Sequence, residues 1–237
     1  MGRSLSRRPP AWVTTAFSFD HGDNRDIGPL NKAPTFNGNG THEGTYRNNT
    51  TDGGGQSEDY MSVGDDDAFS PTDGAGVDRP FSIGFLFNAT AFGSSSSTML
   101  FAKRNYSAGQ HEYQSARLTD GRVYLVIYGS GATSTRIQRY TTSTFSAPTG
   151  WAHLIITYDG SELSAGVKMY VNGVDDSGST NDVGTYLGCA NSSAPLTFGG
   201  WSDPNTTSMV GDWDSPFYAN RELTANEVAT IYQEGRR

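Results

Sequence analysis

The chain contains one cysteine, Cys189, in 237 residues. It can form no internal disulfide, and that usage fits folding in a reducing compartment. No apolar run approaches the ~20 residues that span a bilayer, so insertion into a membrane is not expected. Charge is also sparse. Charged residues are 18% of the chain, and 17 Lys and Arg face 25 Asp and Glu, a net charge of −8. Binding to a nucleic-acid backbone needs clustered Lys and Arg, so that partner class is excluded. An acidic balance suits a self-repelling surface or one that gathers divalent cations.

Catalytic patterns are missing as well. The histidines His21, His42, His111 and His153 have no metal-ligand spacing with one another. His153 lies in an apolar strand and reads as a packed residue, and Cys189 reads as a small buried one. A retaining glycosidase needs two carboxyl groups ~5 Å apart across the scissile bond. No strand carries carboxylates at the matching spacing. Glu58 and Asp59 point to opposite faces of any strand, and Glu222 and Glu227 sit around a helix start. The expectation is a protein that is not an enzyme.

What is present is glycine (29 residues), aromatics (12%) and short alternating segments, the composition of an all-β domain with many turns. Phe81, Ile83, Phe85 and Phe87 alternate with smaller or polar residues, which predicts a strand with one buried face. Further strands are expected at 16–20, 60–63, 99–103, 112–118, 122–128 and 137–145. Trp151–Tyr158 and Val167–Val171 read as antiparallel neighbours, and Asn172-Gly173 is the best tight-turn signal. Thr224 with Glu227 forms a capping box, and Val228, Ile231 and Tyr232 share a face, so one helix ends near Gly235. Asp65-Asp66-Asp67 reads as a solvated acidic loop, with cation binding as the alternative.

Residues 1–11, with Arg3, Arg7 and Arg8 ahead of Pro9-Pro10, read as a basic, proline-stiffened arm, and residues 12–237 as one domain. Polar Thr14-Thr15 stand where a signal peptide would be apolar. The expectation is a chain made in the cytoplasm that either stays inside the cell or leaves by lysis or as part of a larger particle.

One ordered set of landmarks runs through the C-terminal half. Trp151-Ala152-His153, Tyr158-Asp159-Gly160, Asn172-Gly173, Phe198-Gly199-Gly200, Gly211-Asp212-Trp213-Asp214 and Arg221-Glu222-Leu223 lead into the short helix. This succession resembles the laminin-G-like jelly rolls of the concanavalin A-like lectin/glucanase superfamily, over about residues 12–235. The resemblance implies an all-β, two-sheet antiparallel β-sandwich with one short C-terminal helix. It also implies a structural Ca²⁺ site, with Asp214 and Asp26 at the matching positions and Asp20 nearby. Asp212 lies two residues from Asp214, so on an extended segment both carboxylates face one side. The alternative is that these aspartates bond their own turns.

Such a fold carries enzymes, lectins and structural modules alike. Sugar binding would use aromatic faces beside polar loops, and Trp201, Trp213 and Tyr218 are the candidates, against packing under the helix. Taken together, the expected function is a structural or adhesive accessory of a virion, such as a phage capsid decoration or fibre. Its partner would be a capsid protein bound through the arm, and a homo-oligomer is compatible with that role. The alternative is an extracellular carbohydrate-binding module that recognises a cell-surface glycan.

Overall fold

The structure, a computed structural model, describes residues 15–20, 25–26, 28–38, 42–43, 45–48, 60–72, 76–92, 97–129, 133–200 and 207–234. The strands in chain order begin with β1 (Thr15–Asp20), β2 (Arg25–Asp26), β3 (Pro34–Asn37), β4 (His42–Glu43), β5 (Thr45–Asn48) and β6 (Tyr60–Val63). They continue with β7 (Phe81–Ala91), β8 (Ser97–Asn105), β9 (Gln110–Leu118), β10 (Arg122–Tyr128), β11 (Arg136–Thr144) and β12 (Ala152–Tyr158). Last come β13 (Val167–Val171), β14 (Val174–Asp175), β15 (Ser177–Thr180), β16 (Leu196–Phe198), β17 (Thr207–Ser208) and β18 (Val210–Ala219), followed by helix α1 (Ala225–Glu234).

These strands form two sheets. The first runs β14-β13-β12-β7-β18-β1-β2, with β5 beside β18 and β4 beside β5. The second runs β15-β11-β10-β9-β8-β16-β6-β3, with short β17 alongside β8. All described pairings are antiparallel except β17 with β8. This is the expected β-sandwich jelly roll. The core between the sheets is aromatic: Phe81 stacks between Tyr113 (5.3 Å between ring centroids) and Tyr218 (5.5 Å).

The first sheet departs from the alternation read in the sequence. Phe81, Ile83, Phe85 and Phe87 face the core as expected, but the intervening Ser82, Gly84 and Leu86 are buried too. The reason is α1, which lies on the sheet's far side. Leu223, Val228 and Ile231 pack there against Ile155, Tyr170 and Phe217. Burying Val228 and Ile231 stabilises by about 1.5–3 kcal/mol each. Gly84 leaves room for the residues the helix rests on, since a Cβ there would stand 2.8 Å from both Ile155 Cγ1 and the Leu154 carbonyl and 2.9 Å from Phe217 Cε1.

The helix starts where the capping box places it. Glu227 N donates to Thr224 Oγ1 at 3.3 Å, and Thr224 N donates back to Glu227 Oε2 at 2.8 Å. Ser82 Oγ accepts from Leu223 N and donates to the Arg221 carbonyl, fixing the lead-in to the sheet. Asn172 and Gly173, at φ 50° and 80°, make the left-handed two-residue turn from β13 to β14. Gly173 also leaves room for Tyr232, whose ring stacks on His153 at 6.0 Å. No helix among the described residues is long and apolar enough to cross a membrane.

Candidate functional site

Opposite the α1 side of the sandwich, the outer side of β8–β11 carries a second buried cluster. Alternation assigns it. Leu125 and Ile127 point to the core, so Tyr124, Val126 and Tyr128 point outward, where they cluster with Met99, Ala102 and Ala116. On this apolar floor sits a hydrogen-bonded network. Arg104 Nε donates to His111 Nδ1 at 2.6 Å, and Arg104 Nη1 donates to Gln114 Oε1 and to Tyr128 OH. Gln114 Nε2 donates in turn to Tyr124 OH at 2.7 Å. The Arg104 guanidinium also lies over the rings of Tyr106 and Tyr128, 5.0 and 5.1 Å from their centroids.

The electrostatics follow from that geometry. His111 Nδ1 accepts from a cation, so its imidazole is neutral and its proton is on Nε2. Burial and the Arg104 charge both push its pKa down. Burial pushes Tyr124 up to about 12 and raises Tyr128 as well, so both phenols stay protonated while their oxygens accept from Gln114 and Arg104. The centre of the face is buried, and its rim is open. Tyr106 is 55% exposed at one end, and half-buried Tyr140 carries Arg122 over its ring at the other, 4.7 Å from the centroid. Planar polar side chains over aromatic rings can hydrogen-bond hydroxyl groups and stack on the C–H face of a ring.

The residues singled out from sequence fall elsewhere. Trp213 and Tyr218 are core residues, 0% and 1% exposed, and present no platform to solvent. Five residues apart, they would face opposite ways on a regular strand. The register shift between Asp214 and Phe217 turns both inward. Trp213 stacks on Phe198 and lies under Gly199, where a Cβ would meet its Nε1 at 2.7 Å. Trp201, Arg3, Arg7 and Arg8 lie outside the described residues.

The aspartates set out for calcium sit on neighbouring strands. Asp214 and Asp212 are on β18, Asp20 ends β1, and Asp26 is on β2, in the order β18-β1-β2. Asp214 is buried and accepts from Ser215 Oγ at 2.9 Å, while Asp212 is half-buried. The side chains of Asp20 and Asp26 are outside the description. Among the described residues, no three His, Cys, Asp or Glu side chains are grouped to hold a metal.

Asp65-Asp66-Asp67 is a structural loop rather than a solvated one. Asp65 pairs with Lys103 at 2.6 Å, Asp66 caps the 3-10 turn at Asp67–Phe69 through Ala68 N, and Asp67 accepts from Asn191. Lys103 is fully buried. Its ammonium touches Asp65, Glu112 Oε1 at 3.0 Å and the carbonyls of Ser192 and Ala194. Glu112 also accepts from Ser192 N and Oγ, and burial raises its pKa. The second buried carboxyl, Asp78, is likewise raised by burial and is held by Tyr158, Tyr186 and Cys189 N. Cys189 is buried, as expected. Glu227 is held at about 2 by its bidentate pair with Arg221. These carboxylates have structural partners.

The family model Laminin_G_3, the concanavalin A-like lectin/glucanases superfamily, matches residues 52–229, about three quarters of the sequence. The chain belongs to this superfamily. As a member with the lectin-like sandwich, it is also similar to solved binding domains of bacterial toxins. The botulinum neurotoxin serotype G binding domain matches with a TM-score of 0.67 at 15% identity, over 92% of this chain and 50% of that one. The receptor binding domain of botulinum neurotoxin D gives 0.67 at 12%, over 93% and 52%. The binding domain of Paraclostridial Mosquitocidal Protein 1 gives 0.66 at 15%, over 92% and 52%. The chain thus spans about half the length of these structures, and the likeness establishes the fold. No curated protein matches the superfamily member in sequence.

The sequence reading missed the outer face of β8–β11. The signal was there in Tyr124-x-Val126-x-Tyr128 and Arg104, but alternation alone does not say which face a second layer will cover.

Proposed function

We propose that this lectin-like domain is a non-enzymatic adhesive module that takes a saccharide on the outer face of its second sheet. The observation that carries the reading is exposed Tyr106 with the Arg104 guanidinium over its ring, at the open edge of the otherwise buried Arg104–Gln114–Tyr124–Tyr128 network. A carbohydrate ligand also suits the toxin binding domains that share the fold, one of which was solved with N-acetylneuraminic acid. The test is a glycan array read with the native protein, Tyr106→Ala and Trp201→Ala. Hits lost in Tyr106→Ala and kept in Trp201→Ala support the sheet face. The reverse moves the site to the final loops, and no hits with the native protein overturn the saccharide reading.

An adhesive module of this kind suits a virion accessory, a phage capsid decoration or fibre head, anchored on a capsid protein through Arg3, Arg7 and Arg8. The basic, proline-stiffened composition of residues 1–11 in an otherwise acidic chain supports this second reading. Deleting residues 2–10 should abolish association with particles while leaving the melting temperature of the sandwich unchanged. Unchanged incorporation refutes it.

A structural Ca²⁺ at Asp214, with Asp212, Asp20 and Asp26, belongs to the same proposal. The adjacency of the strands bearing these residues supports it, and the ion would tie β1 and β2 to β18. Melting with and without a chelator tests it, and an unchanged midpoint removes the ion from the account.

A further inference from the structure

We propose that a cleft at one end of the sandwich binds a free amino acid with an apolar side chain. This site shares no residue with the β8–β11 face and is independent of the saccharide reading. The cleft opens where the loop after β6 meets the start of β7 and the end of β18, and its volume is about 440 Å³. Small-ligand sites span about 300–1,000 Å³. Exposed Asp67, Arg79 and Asn220 stand at its mouth, while Pro71 and Pro80 form walls and buried Tyr218 closes the floor.

Both sides of the cleft are held by contacts from behind. On one side, Tyr113 OH donates to the Phe69 carbonyl at 3.0 Å, anchoring the 3-10 turn. Asn191 donates to Asp67 Oδ1 at 2.8 Å and accepts from Ser70 Oγ at 3.0 Å. On the other side, Arg79 N donates to the Pro71 carbonyl at 3.2 Å, beside the Thr72–Asp78 bridge. Gly160, at φ 80°, presses on this segment so closely that a Cβ would stand 3.1 Å from the Arg79 carbonyl carbon and from Pro80 N. The prolines fix their own φ. The cleft is therefore preformed, and a ligand pays little for ordering it.

Two opposite charges line this cleft without forming an ion pair. The Arg79 guanidinium has no hydrogen-bond or ion-pair partner among the described residues, and Asp67 commits only Oδ1, to Asn191. A purely cationic ligand would be repelled by Arg79 and a purely anionic one by Asp67. A zwitterion answers both: its carboxylate takes paired hydrogen bonds from the guanidinium, and its ammonium donates to Asp67. The apolar side chain then rests between Pro71 and Pro80, against Ala68. A neutral sugar would leave both charges unanswered.

The test is an NMR titration of isotope-labelled protein with leucine, isoamylamine, N-acetylleucine, glycine and galactose. Isoamylamine keeps only the ammonium of leucine, and N-acetylleucine keeps only the carboxylate. Leucine should bind about fivefold to tenfold more tightly than either, with shifts at the Arg79 Nε–H and the Asn220 side-chain amide. Glycine should bind more weakly than leucine. Arg79→Gln should lower leucine to the affinity of isoamylamine, and Arg79→Lys should restore part of the loss. Asp67→Asn should lower it to that of N-acetylleucine, with every variant's fold checked by melting. Equal binding of a singly charged analogue overturns the zwitterion assignment, and equal binding of glycine overturns the apolar side chain. Leucine binding that Arg79→Gln leaves unchanged overturns the location. Galactose moving the same signals as strongly overturns the amino-acid class, and no shift with leucine at millimolar concentration overturns the site. None of these results bears on the glycan array, so the two readings fail separately.

Discussion

Replacing His153 with phenylalanine should remove a measurable part of the protein's acid sensitivity. The imidazole is buried in β12 beneath α1, stacked on Tyr232 at 6.0 Å with an interplanar angle of 19°. Burial lowers its pKa from 6.5 to about 4. A histidine depressed in the folded state binds its proton more readily when unfolded. Its contribution is therefore fully present above pH 6.5, falls as pH drops through the window from 6.5 to 4, and is lost below it. A fall from 6.5 to about 4 corresponds to about 3 kcal/mol, with roughly 2 kcal/mol gone at pH 5 and nearly all of it at pH 4. Phenylalanine keeps the stacking ring and cannot titrate. Urea unfolding of both proteins at pH 7, 6, 5 and 4 isolates the histidine, because every carboxylate is common to the pair. The native protein should lose more stability than the variant between pH 7 and pH 4, by that difference. Parallel slopes would refute the reasoning, as would an imidazole titrating near 6.5 by NMR.

Other perturbations test other parts of the account. Lys103→Met strips the buried ammonium from Glu112 and Asp65 and should cost about 3–5 kcal/mol in urea unfolding, with partial recovery when combined with Glu112→Gln; additive losses would show the pair is not coupled. Gly84→Ala drives a Cβ into Ile155, the Leu154 carbonyl and Phe217 and should destabilise by about 1–3 kcal/mol, whereas a neutral result would show that Ile155 and Phe217 do not close over β7 as described. Thr224→Ala removes the helix cap and should cost about 1 kcal/mol by the same measurement. Nitrogen-15 NMR should find His111 neutral at pH 7 with its proton on Nε2, and the other tautomer would break the link to Arg104.

Much of the fold was legible because its signals are local. Arg122–Tyr128 is rich in Val, Ile and Tyr over a full strand, Asn172-Gly173 tolerates positive φ at both positions, and the Thr224–Glu227 box acts within one helical turn. The site was harder to read because it depends on tertiary layering. The sequence does not reveal that α1 covers the β7 side of the sandwich and so leaves β8–β11 as the other outer face. Trp213 and Tyr218 misled for a related reason. They read as platforms beside the final loops, but both lie on β18, whose irregular register turns both into the core. Asp65-Asp66-Asp67 looked like a solvated run because its partners, Lys32, Lys103 and Asn191, are distant in sequence.

The central claim is that the ligand sits on the outer face of β8–β11. It is tested most directly by titrating isotope-labelled protein with the strongest glycan from the array and mapping the NMR shifts. The account predicts concentrated changes at the Tyr106, Tyr124 and Tyr128 rings and the Arg104 Nε–H, with α1 and the Trp213 indole unmoved. Shifts centred on the loop around Trp201, or on the Asp212–Asp214 corner, would contradict it.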